Sequence, residues 1–321
     1  MRPGLLQNPI ILLLVTGTLI GFNFPLGKIA GDANVSPMIW AMVVSLGASM
    51  MLLPVLAAKR RLTIPKGRMV RYIVVSALIS FVIPNLLLFS VIPHTGAGYT
   101  GLMFALSPVF TLALALVFRI NGPSRAGVCG ITIGLIGVTV VSITRGGTPE
   151  APAVIWILAA LLIPLMLACG NIYRSLDWPE GASPDVLAFW SHAFSVSVFL
   201  MLLGFTKGSF QLNELALAPV AAVAQAVVAG ITFPVFFRLQ QNGGPVLLSQ
   251  IGYVAAAVGL MAATFFLGER YGHMTWIGAA IIALGVSVTI FAQIAEHRKN
   301  ANRALGTDFI GVRHSQPRMG R

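Results

Sequence analysis

The chain is patterned as long apolar stretches broken by short polar ones. Ten such stretches can be drawn, over residues 10–30, 36–57, 70–92, 95–119, 125–144, 152–174, 184–205, 216–239, 244–267 and 272–295. A stretch of about 18 or more apolar residues is long enough to cross a ~30 Å hydrocarbon core as a helix. Membrane strands would instead alternate apolar and polar positions over ~10-residue segments, and that pattern is not found. The expected fold is therefore an all-α polytopic membrane protein with ten transmembrane helices.

Composition agrees with this reading. Of the 321 residues, 57% are hydrophobic and 9% charged, against ~25% charged in soluble domains. The formal charge of +12 suggests nucleic acid until the basic residues are placed. Lys59, Arg60, Arg61, Lys66, Arg68 and Arg71 crowd the link between the second and third spans, and Arg298, Lys299, Arg303, Arg313, Arg318 and Arg321 lie in the tail. With the N-terminus inside, only Lys28, Arg145, Lys207 and Arg270 fall on the outer face. That asymmetry is the positive-inside signal, so both termini are expected in the cytoplasm and nucleic acid is rejected as a partner. The first span lacks a small-residue cleavage site and is expected to be a retained helix. Cys129 and Cys169 fall in apolar spans without a CxxC or clustered His, so no metal, disulfide or cofactor is expected and both are assigned to packing.

A shift of 148 residues lays the chain on itself. "GFNFPL" (21–26) falls over "CGNIYR" (169–174), which pairs Asn23 with Asn171. The same shift pairs "GVTV" (137–140) with "GVSV" (285–288), Gly130 with Gly278, Phe89 with Phe237, and Gly96 with Gly244. At 147, "VSPMIWA" (35–41) meets "ASPDVLA" (182–188). Spans one to five thus repeat as six to ten. Five is odd, so the second copy enters the membrane from the opposite side. Inverted repeats of this kind build many secondary transporters, with the substrate near the midplane. The expected units are residues 1–145, residues 146–295 and a basic, aperiodic tail over 296–321 that reads as disordered.

The blocks "GLMFALSPVFTLALALVFRINGPSRAGVCGITIGLIGVTVVS" (101–142) and "VLLSQIGYVAAAVGLMAATFFLGERYGHMTWIGAAIIALGVSV" (246–288) resemble the fourth and fifth helices of an EamA-type repeat. The second keeps an "LGE" at Leu267, Gly268 and Glu269, and "GFNFPLGK" resembles the family's first-helix signature at Asn23 and Lys28. The resemblance implies the drug/metabolite transporter superfamily: ten helices in two EamA repeats, and efflux of small metabolites, amino acids or drugs. The sequence departs from the pattern at Asn121, which replaces the glutamate, and near Val43, Val44 and Ser45, where an arginine is often found. The triose-phosphate branch binds its anion with intramembrane Lys and Arg; no such pair is read here, which disfavours a phosphosugar.

The nine carboxylates all fall in loops, in the tail or at span ends, which argues against a buried carboxylate relay. His192 is then the one titratable group read near a midplane, either hydrogen-bonded between helices or carrying a proton. Asn23 next to Pro25 reads as a broken first helix facing the interior, since proline frees a carbonyl that needs a partner in lipid. Lys28 either snorkels to the interface or faces a substrate path. Trp40, Asn85, Tyr99, Trp190, Gln225, Gln250 and Tyr253 complete the polar and aromatic interior, with Gln250 and Tyr253 on one helix face. Asn23, Lys28, Trp40, Asn85, Tyr99, Asn171, Trp190, His192, Gln250 and Tyr253 are the expected substrate-binding residues. Amides and aromatics without fixed charge suit a neutral, zwitterionic or amphipathic small molecule. Glu269 beside Arg270 is assigned to pairing or to capping the following helix.

The leading reading is an inner-membrane exporter rather than an enzyme, surrounded by the lipid bilayer; assembly as a homodimer is left open. A polytopic membrane enzyme and a non-transporting scaffold are the competing readings. The enzyme would need a convergent His/Asp/Glu or Ser/His cluster, and the scaffold would not need polar residues matched across the two halves.

Overall fold

The computed structural model describes residues 7–120, 124–146, 152–285, 287–292 and 295. The predicted tail and Asn121 lie outside them. The described residues form helices and no strands: α1 (Pro9–Asp32), α2 (Pro37–Ala58), α3 (Arg68–Thr95), α4 (Ala97–Val117), α5 (Arg125–Gly146), α6 (Val154–Leu176), α7 (Pro184–Lys207), α8 (Pro219–Ser249), α9 (Ile251–Leu267) and α10 (His273–Ala292). Eight of these described helices are long and apolar enough to cross a membrane, while Arg125–Val140 and α9 are shorter apolar helices.

The helix starts follow from local chemistry. Asn8, Ser36 and Ser183 are N-caps, each followed by a proline at the first helical position. A side-chain oxygen satisfies an orphan N–H there, and proline has no N–H to lose. Ser36 Oγ accepts from Ile39 N at 3.5 Å and Ser183 Oγ from Val186 N at 3.3 Å. The two "SP" motifs matched in sequence are thus the same structural device.

The helix breaks match as well. Gly96 separates α3 from α4 at φ 84°, ψ 156°, and Gly244 kinks α8 at φ 69°, ψ −176°. Extended backbone at positive φ is open essentially to glycine alone. One prediction fails here: α1 runs unbroken through Pro25. The stretch does face inward, with Asn23, Phe24, Pro25 and Gly27 buried.

Helices of one half pack mainly on the other. α1 lies against α8 and α9, while α6 lies against α3 and α4; α2 packs on α7 and α8, and α4 on α9. The largest core cluster joins α1–α3 to α7–α9 through residues such as Phe24, Trp40, Tyr72, Phe81, Phe199 and Phe237. α5 and α10 meet through glycines. A Cβ added at Gly130 would lie 2.7 Å from Gly285 O, and one at Gly137 would lie 2.7 Å from Gly278 O. Cys129 is exposed and Cys169 half-buried.

Candidate functional site

The most polar part of the interior is built around Arg174, which the charge pattern had placed with the cytoplasmic residues. It sits in the last turn of α6 and is 1% exposed. Its Nη2 donates to Asn171 Oδ1 at 2.7 Å, its Nε to Gln240 Oε1 at 3.4 Å, and its Nη1 to Ser80 Oγ. Gln240 in turn donates from Nε2 to Ser175 Oγ at 2.6 Å. Phe236 and Phe81 flank the guanidinium, with ring centroids 5.0 and 5.8 Å away, within cation–π reach. Among the described residues no carboxylate lies within ion-pair distance of it.

Local structure explains how these groups meet. A π-helical turn over Leu78–Val82 interrupts α3. Such a turn shifts the register of the following residues, and here Ser80 and Phe81 both face inward. On α8, Gln225, Phe233, Phe236 and Gln240 are all buried and recur at helical spacing, so they form one inward stripe. Arg174 lay inside the predicted 152–174 span, one turn after Asn171, and that spacing was the signal available in the sequence. The expectation of an interior without fixed charge is therefore corrected.

His192 adjoins this cluster through Phe81. It is wholly buried, with its ring centroid 4.2 Å from that of Phe81 and 3.9 Å from that of Phe233. Its Nδ1 lies 3.3 Å from Ser45 Oγ, and its Nε2 has no hydrogen-bond partner among the described residues. His192 is thus not the only ionisable side chain inside the helices, as Arg174 shares its surroundings.

The other expected site residues are spread through the molecule. Asn23 Oδ1 accepts from Gln225 Nε2 at 2.8 Å, tying α1 to α8. Gln225 and Gln240 are fifteen residues apart, which at 1.5 Å per helical residue is about 22 Å; Asn23 and Asn171 therefore contact opposite ends of the stripe. Trp40 is buried with its Nε1 unpartnered, and Asn85 has an unpartnered buried Nδ2. Tyr99 packs with Val91, Met103 and Ala160. Gln250 caps the junction of α8 and α9 with both side-chain polar atoms unpartnered. Tyr253, three residues on, donates to Ile131 O at 3.3 Å, toward α5. Lys28 pairs with the exposed Asp32 at the end of α1. Trp190 Nε1 donates at 2.8 Å to Thr63 O in the α2–α3 link.

Both ends of the bundle are clamped. At one end, Asp177 follows α6 and accepts from Arg71 Nη2 at 2.5 Å, Tyr173 Oη at 2.7 Å and Arg68 Nε at 2.9 Å. The Arg71 hydrogen bonds, with those from Tyr173 and Arg68, outweigh desolvation and hold its carboxyl at about 2. Arg238 also binds Asp185 there through Nη2 at 2.9 Å. At the other end, Glu269 accepts from Ala97 N at 3.1 Å, Gly98 N at 3.4 Å and Tyr271 Oη. Glu269 therefore caps α4, across the bundle, rather than the helix that follows it. An anion at a helix N-terminus is favoured by the exposed N–H groups and the helix dipole.

The sequence profile described as the EamA-like transporter family matches residues 7–143 and again residues 154–291. The chain belongs to this family. As an EamA chain it is a multi-pass membrane protein of a family of transporters. It is 26% identical over 204 residues to a protein of Streptantibioticus cattleyicolor named "Probable terminal-alkyne amino-acid exporter", covering 60% of this chain and 64% of that one. It is 25% identical over 210 residues to the "Probable amino-acid metabolite efflux pump" of Escherichia coli K12, covering 61% and 68%. It is also 25% identical over 194 residues to the "Uncharacterized inner membrane transporter YedA" of the same strain, covering 59% and 60%. The matched region thus spans less than two thirds of the first and third of these relatives. A crystal structure 20% identical in sequence superposes with a TM-score of 0.61 over 87% of this chain and 98% of the other, which establishes the likeness of fold.

Proposed function

We propose that this EamA chain is a secondary transporter that exports a small neutral, zwitterionic or amphipathic metabolite across the inner membrane. Its two units, residues 1–145 and 146–295, act as inverted five-helix repeats of a ten-helix fold with both termini in the cytoplasm. They alternate access to a site between them.

The observation that carries this reading is the reciprocity of the packing. Under the 148-residue offset, α1 on α8 and α9 becomes α6 on α3 and α4, and both arrangements occur. The contact of Gly130 with Gly285 likewise maps onto that of Gly278 with Gly137. An inverted repeat relates equivalent residues across the midplane. Asn23 therefore belongs to the outer half and Asn171 to the inner half, which accounts for their separation along α8. Two interchangeable halves give two related conformations, one opening at the Asp177 end and one at the Glu269 end. The names of the amino-acid exporters and efflux pumps similar to this chain support an organic metabolite as cargo.

The test compares the extracellular metabolites of cells carrying the intact protein with those of cells carrying the Asn23→Leu/Asn171→Leu double variant at equal membrane levels. A compound released only by the intact protein is the expected outcome. Identical profiles, matching cells without the protein, would return the chain to the scaffold reading.

A further inference from the structure

Arg174 is a buried cation whose surroundings do not balance its charge. A guanidinium stays protonated in proteins, and taking an ion out of water costs several kcal/mol unless a partner compensates. Here the partners are the neutral oxygens of Ser80, Asn171 and Gln240. Asp177, three residues further on, is engaged by Arg68 and Arg71 and makes no ion pair with Arg174. Ionisable groups placed within the membrane are functional candidates by default.

The donor count points to what is missing. Arginine has five N–H donors in a planar fork. Three are used, one on each nitrogen, which leaves one hydrogen on each terminal nitrogen without an acceptor. The two that remain can be met by the two oxygens of a carboxylate. A phosphate dianion would need a second cation, and among the described residues Arg174 is the only basic group hydrogen-bonded in this cluster. The rings of Phe81 and Phe236 flank it and Phe233 packs on both, a wall for an apolar tail, with the unpartnered Nε2 of His192 beside Phe81.

We propose that Arg174, set among Ser80, Asn171 and Gln240, is the seat for the carboxylate of an organic-acid or amino-acid substrate whose apolar part lies against Phe81, Phe233 and Phe236. This rests on the transporter reading and narrows its cargo to molecules bearing a carboxylate.

The experiment uses purified full-length protein in detergent at matched ionic strength. Thermal unfolding is followed with 4-methylvalerate, with its amide 4-methylvaleramide, and with inorganic phosphate. The acid is expected to raise the melting temperature while the amide and phosphate leave it unchanged. In Arg174→Gln the acid should have no effect. In Arg174→Lys, which keeps the charge but loses the fork, acid affinity should fall at least tenfold; this variant also serves if Arg174→Gln does not fold. Equal shifts with acid and amide, a shift with phosphate alone, no shift with the acid, or full retention in both variants would overturn the assignment. Arg174-dependent acid binding by a protein that releases no metabolite would sink the transporter reading and leave the site standing. Export without acid binding would do the reverse.

Discussion

Gly285 rests directly on Gly130: a Cβ built on Gly285 would lie 2.6 Å from the Gly130 carbonyl oxygen. Small residues of this kind let membrane helices approach closely and gain dispersion contacts. Gly285→Leu should therefore force α5 and α10 apart, at about 1–3 kcal/mol of overpacking strain. The melting temperature of the purified variant should fall clearly. An unchanged melting temperature would mean that α5 and α10 do not meet at these glycines.

The amide pair of Asn23 and Gln225 predicts a coupled loss. Either Asn23→Leu or Gln225→Leu strands a buried amide, at about 1–3 kcal/mol. The double variant strands neither group and should cost less than the sum of the singles. A double-mutant cycle on unfolding should give a coupling near ~1 kcal/mol, the scale of hydrogen bonds between membrane helices. A coupling of zero would dismiss the bond.

Asp177 predicts an acid limb. Its carboxyl falls from the ordinary 3.8 to about 2 in the folded protein, chiefly through Arg71. A lowered carboxyl pKa stabilises the fold above the unfolded value and loses that contribution as pH drops through the folded one. Stability from this group should be fully present above about pH 4 and fade between about 4 and 2. Asp177→Asn should melt lower at neutral pH and lose less on acidification. A variant with the same acid profile as the intact protein would remove Asp177 from the clamp.

Transport should survive collapse of the pH gradient when membrane potential is held fixed. Among the described residues every Asp and Glu lies at a helix end or in a connection, which leaves no buried carboxylate relay. Transport abolished by collapse of the pH gradient alone would contradict this and turn attention to His192.

The asparagine, proline, glycine and lysine of residues 21–30 show how far local reading carries. Apolar run length fixed the helical class, because a chain in lipid must satisfy its backbone within each segment. The matched "SP" starts and the glycines at 96 and 244 were legible as a repeat, since caps and positive-φ turns depend on a few adjacent residues. The inward face of Asn23 was legible too, while the break expected at Pro25 was not, because neighbouring helices can hold a proline-containing helix continuous.

Arg174 marks the limit. From sequence alone an arginine at the end of an apolar span is a topology signal, and only the packing of α3, α6 and α8 shows it enclosed. Apolar run length, a local property, determined the membrane class, and the match of the sequence to itself at an offset of 148 residues showed the two repeats. Which polar groups meet depended on contacts between residues as far apart as Ser80, Arg174 and Gln240. Those contacts are set by helix packing across the two halves, and no short-range pattern encodes them.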